Sequence, residues 1–111
     1  MATTSEQIRA LNDRLRQSLS VSDGTAIITV GVAALDDEAV ARIFRTIVVY
    51  DEFCHENDPY DEHDFGAFEA EGQVIFFKID YYDPTLTRHS ADPADPSVTH
   101  RVITIMLAEE Y

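Results

Sequence analysis

The chain of 111 residues has no tryptophan, one cysteine, four glycines, four prolines and only eight lysine and arginine side chains. The single cysteine, Cys54, rules out an internal disulfide framework, and a lone thiol fits a reducing compartment. No segment approaches the roughly 20 apolar residues of a membrane span. The strongest apolar runs, Ala26–Val30 and Val74–Phe77, have strand length. The opening MATTSEQIRALNDRL lacks the basic stretch and apolar run of a secretory signal. These absences point to a cytoplasmic protein with no membrane partner. The glycines, Gly24, Gly31, Gly66 and Gly72, are scattered, so no loop cradles a phosphate and no nucleotide or other cofactor is expected. No basic patch interleaved with aromatics is present, which argues against direct nucleic-acid binding.

What the chain has in excess is acid. Twenty-one aspartates and glutamates give a formal charge of −13. Residues 1–50 carry a net −1, with five bases and six acids, and residues 51–111 a net −12, with three bases and fifteen acids. A field of this sign repels phosphate backbones and anionic membranes and attracts cationic surfaces. Solubility alone does not require the charge to collect in one half.

Apolar periodicity orders the elements. Thr4 and Gln7 have capping-box spacing, and Ile8, Leu11 and Leu15 form one stripe, predicting a helix over about 5–18 with Arg9, Arg14 and Arg16 off the stripe. Residues 25–30 read as a strand buried on both faces, ended or bent by Gly31. Asp36 caps a second helix to about Tyr50, with Val40, Ile43, Phe44, Ile47 and Val48 inward. A loop over 51–64 leads to a hairpin, 65–70 and 73–82, turning at Glu71-Gly72. A long loop to Val98 and a last strand over about 100–108 follow. The order α-β-α-β-β-β predicts one α+β domain over residues 1–111, an antiparallel sheet of about four strands with two helices on one face.

Chemistry-bearing side chains concentrate in 51–64, which holds seven acids, His55, His63 and no base. Histidine beside carboxylates suits zinc, iron or manganese, but this spacing matches no metal motif, so no metal is expected. His63 fits a local hydrogen bond to Asp61 or Asp64 instead. Lys78 and Asp80 share a strand face; beside His63 and Asp64 they would make an acid/base centre, and alone they make a solvated ion pair. Cys54 next to His55 reads as a partly buried cysteine rather than an activated thiol, because neighbours on an extended chain point apart. Tyrosines sit among the acids: Tyr60 beside Asp58, Asp61 and Glu62, Tyr81 and Tyr82 between Asp80 and Asp83, and Tyr111 after Glu110. Tyrosine is enriched at interface hot spots; Tyr81 also fits a core position.

The stretches NDPYDEHDFGAF (57–68), KIDYYD (78–83) and TIMLAEEY (104–111) resemble the signature of an uncharacterised bacterial domain-of-unknown-function family. The likeness extends to the ALND start (10–13) and GVAAL (31–35). It implies an association with plasmids and other mobile elements and no particular reaction. The leading expectation is therefore an acidic protein-binding module for a partner with a basic surface. Its sharp form is a nucleic-acid mimic that blocks the basic site of a host restriction or CRISPR protein. Asp51, Glu52, Glu56, Asp58, Tyr60, Asp61, Glu62, Asp64 and Tyr82 are the expected contacts. The alternatives are a small metal-dependent or acid/base enzyme centred on His63, with Asp64, Lys78 and Asp80, and a homo-oligomeric accessory protein.

Overall fold

Each of the two long helices starts where a side chain satisfies one of its free backbone N–H groups. In the computed structural model, which describes residues 3–111, α1 (Thr4–Ser18) is capped by Thr3, whose hydroxyl accepts from the Glu6 N–H and donates to the Glu6 carboxylate. The cap lies one residue earlier than the Thr4–Gln7 spacing suggested. α3 (Asp37–Val49) is capped by Asp36 as expected. Four strands form one sheet: β1 (Thr25–Ile28), β2 (Phe65–Ala70), β3 (Gln73–Tyr82) and β4 (His100–Leu107). Their order is β1-β4-β3-β2. β2 and β3 form the expected hairpin, and Glu71 and Gly72 both take positive φ, 56° and 72°, the turn whose twist matches the strands.

The architecture is α+β, with one correction to the sheet: β1 runs parallel to β4, so the sheet is mixed. A second correction concerns β1 itself, which stops at Ile28 and lies at the sheet edge with Ala26, Ile27 and Ile28 exposed. A β-branched run reports strand preference, not whether neighbours cover it. Gly31 sits inside a one-turn helix, α2 (Val30–Ala33), that the apolar pattern did not announce.

The core lies between one sheet face and the two long helices. Leu15 of α1 and Ile43 and Ile47 of α3 close on Ile75, Phe77, Ile103 and Ile105, all fully buried. Alternation along β3 is as read: Ile75, Phe77, Ile79 and Tyr81 face inward, while Phe76, Lys78, Asp80 and Tyr82 share the open face. Arg16 departs from its expected place. It is only 3% exposed and donates to the Ile47 and Tyr50 carbonyls at 2.9 and 2.8 Å. It thus satisfies the carbonyl end of α3, where a cation also complements the helix dipole.

Candidate functional site

The acidic segment 51–64 has no regular structure, yet its backbone is fixed from inside. Asp58 is 5% exposed, and its carboxylate accepts the backbone N–H groups of Glu62 (3.0 Å) and His63 (3.2 Å). Asp61 and His63 both take positive φ, 56° and 58°, a conformation that side chains adopt when surroundings enforce it. Helix α1 supplies that enforcement. Arg9 donates to the Asp61 carbonyl and carboxylate at 3.0 and 2.6 Å, and Asn12 donates to the Glu62 carbonyl at 3.0 Å. The His63 Nδ1 bonds the Asp13 carboxylate at 2.8 Å, and the ring stacks on Phe53 with centroids 3.8 Å apart. The hydrogen-bond partner of His63 is thus Asp13 on the helix, rather than Asp61 or Asp64.

Beneath the loop lies a buried polar cluster. Asn12 Nδ2 donates to the Tyr81 hydroxyl (2.8 Å), which donates to the Glu62 carboxylate (3.1 Å). Arg101 Nε donates to Asn12 Oδ1 (2.8 Å), and its guanidinium lies over the Tyr81 ring, 5.2 Å from the centroid. Burial raises the Tyr81 phenol far above its ordinary value and lowers the Arg101 guanidinium. Burial, with the charges of Glu62, Asp58 and Asp80, pushes the Asp64 carboxyl up to about 6. Asp64 and Asp80 line a cavity of about 290 Å³ together with Tyr82 and His89.

The residues expected to meet a partner therefore divide. Asp51, Glu52, Glu56, Tyr60 and Asp61 point outward, and the first three form no ion pair among the described residues. Asp58 does not belong with them: it is buried, and its carboxylate accepts from the loop's own backbone. Glu62 and Asp64 are half-buried, Glu62 turned to Tyr81. Tyr82 stands on the open sheet face, paired across from His100. The grouping of His63, Asp64, Lys78 and Asp80 is only partly assembled. Lys78 pairs with Asp80 at 3.1 Å on the open face, both partly exposed, while His63 packs on Phe53 at the helix side. Cys54 is exposed rather than partly buried. Of the histidines and carboxylates of 51–64 weighed as metal ligands, three do come together: ligand atoms of Asp58, Asp61 and His63 lie within 4.8 Å of one another.

A family described as a protein of unknown function, DUF3768, matches residues 28–110. The chain belongs to the DUF3768 family. No curated protein and no solved structure matches it. The DUF3768 match spans the acidic loop, Tyr81, Arg101 and Glu110, and α1 precedes it.

The residues of the DUF3768 chain that sequence reasoning passed over are Asn12, Asp13 and Arg101. Two of them left a signal. Asn12 lies four residues after Ile8 and three before Leu15, a polar residue on the apolar stripe. Arg101 shares the alternation of Ile103, Ile105 and Leu107, and so falls on the buried face of β4. No described helix is long and apolar enough to cross a membrane.

Proposed function

We propose that this chain is a protein-binding module whose acidic loop docks on a basic surface of a partner. The observation that carries the reading is the two-sidedness of the loop. Its inner side is pinned by Asp58, Arg9 and Asn12, while its outer side presents Asp51, Glu52 and Glu56, which form no ion pair among the described residues, and Tyr60, which is 73% exposed. A loop ordered before binding loses little conformational entropy on docking. An exposed tyrosine among carboxylates supplies contact area at small entropic cost and complements Arg and Lys. The sharper form is occupation of a nucleic-acid-binding groove in a restriction or CRISPR protein, since such a groove recruits negative charge by the same long-range attraction.

The test compares two baits in a host lysate at low and high salt: the natural chain, and a variant carrying Asp51→Asn, Glu52→Gln, Glu56→Gln and Tyr60→Ala. The variant should melt like the natural chain, because none of the four residues holds the core. Proteins retained at low salt by the natural chain alone support the reading, and their release by duplex DNA or RNA supports the mimic form. Equal recovery on both baits overturns it. Asp61 is left unchanged, since it contributes to a separate grouping.

A further inference from the structure

The loop holds a second chemistry, independent of its outward charges. We propose that Asp58, Asp61 and His63 form a binding site for one divalent transition-metal ion of the zinc class.

The argument starts from the orientation of His63. Its Nδ1 is committed to the Asp13 carboxylate of α1 at 2.8 Å, and its ring is held flat on Phe53, with the planes 3° apart. The remaining nitrogen, Nε2, faces Asp61 Oδ1 at 3.6 Å. That separation is too long for a hydrogen bond. It suits two ligands of one ion, since atoms about 2.0–2.2 Å from a tetrahedral zinc lie about 3.4 Å apart. A ligating histidine characteristically donates its other ring N–H to a carboxylate, which fixes the tautomer and leaves the second nitrogen's lone pair for the metal. Asp13 stands in that position and comes from a different element, 50 residues away in sequence.

Asp58 supplies the third ligand. Its oxygens accept backbone N–H groups from Glu62 and His63, and a carboxylate has lone pairs beyond those bonds. These bonds fix its position from behind. Arg9 does the same for Asp61 by holding Oδ2 at 2.6 Å, which leaves Oδ1 turned to His63. One imidazole nitrogen and two carboxylate oxygens suit zinc or a neighbouring first-row divalent ion. Three protein ligands leave a position for water, and two of them, Asp58 and Asp61, line a cavity of about 190 Å³.

The experiment uses the full chain, stripped with a chelator and titrated with zinc chloride against a fluorescent zinc indicator, with melting curves run in parallel. One zinc per chain is expected, with a higher melting temperature when zinc is present. His63→Ala and Asp61→Asn should each weaken zinc by about ten-fold or more, Asp13→Asn by about 10–100-fold through loss of ring orientation, and His55→Ala should leave it unchanged. Should His63→Ala not fold, Asp61→Asn, at a position 72% exposed, decides the matter. Natural affinity in Asp61→Asn, absence of stoichiometric zinc in the natural chain, or a loss that follows His55→Ala instead overturns the proposal. None of these readouts involves a protein partner, so failure of the docking proposal leaves them interpretable.

Discussion

Arg101 Nε donates to Asn12 Oδ1 at 2.8 Å, joining β4 to α1 across 89 residues of sequence. Both side chains are buried, and Asn12 also reaches Tyr81 and the Glu62 backbone. One amide thus spans the first helix, the acidic loop and two strands, and its loss strands several buried groups at once.

Asn12→Ala is therefore expected to destabilise the fold by about 3 kcal/mol, since an unpaired buried group costs its desolvation and Arg101 is charged. Tyr81→Phe removes only one hydroxyl and should cost about 1 kcal/mol. The double variant should cost less than the two losses added, because both act on one set of bonds. Urea denaturation of the three proteins checks this. Strict additivity would mean that the groups behave independently.

Gly66→Ala should destabilise by about 1–3 kcal/mol or more, the range for overpacking a filled core. A Cβ at this position of β2 would collide with the Phe77 ring and come within 2.8 Å of Tyr50 Cε1. Phe77 is fully buried, and Tyr50 packs edge-on against it with centroids 5.2 Å apart, so neither ring has space to yield. Gly72→Ala also bears a cost, from its positive φ of 72°, but it meets no neighbour. The two variants separate packing from backbone strain, and Gly66→Ala should melt lower.

The hairpin, the Asp36 cap and the inward face of β3 were legible because each depends on local chemistry: a Glu-Gly turn, an N-cap, an alternation. The parallel pairing of β1 was not, since an isolated apolar run carries no information about which strand it will join. The acidic loop was legible as a surface but not as an ordered one. Whether Asp58 faces water or its own backbone depends on where α1 docks, and that is a tertiary fact. Likewise the convergence of Asp58, Asp61 and His63 depends on two positive-φ residues, which ordinary side chains conceal and glycine would have advertised.

The contact between Glu110 and α2 should give the fold a pH-dependent fastening. The Glu110 carboxylate accepts from the Thr29 hydroxyl (2.5 Å) and from the N–H groups of Leu107 and Gly31 (both 2.9 Å). The Thr29 hydroxyl, followed by the Leu107 and Gly31 N–H groups, holds its pKa below the ordinary value. A carboxyl with a lowered folded-state pKa contributes stability that is present above its unfolded value, about 4.3, and lost as pH falls through the folded one. Glu110→Gln should therefore melt below the natural chain at pH 7, and the two curves should converge on acidification below about pH 4. A gap independent of pH would assign the loss to packing rather than charge.

Asp64 carries the opposite sign. Burial, followed by the neighbouring charges of Glu62, Asp58 and Asp80, raises its carboxyl to about 6. In the unfolded chain the same group titrates near 3.9. Between those values the folded state holds more protons than the unfolded one, so stability falls as pH rises through the window of about 4 to 6. Above about pH 6 the penalty is complete, and below about pH 4 it vanishes. Asp64→Asn removes the charge and keeps the shape. In chelator-treated protein it should therefore stabilise the fold at pH 7 by about 1–2 kcal/mol, after discounting for solvent that reaches this half-buried group. The gain should shrink steadily between pH 6 and pH 4. Denaturation of both proteins at pH 4, 5, 6 and 7 measures the profile. A variant less stable than the natural chain at pH 7 would show that the Asp64 charge is held by favourable contacts, and would reverse the sign assigned to its surroundings.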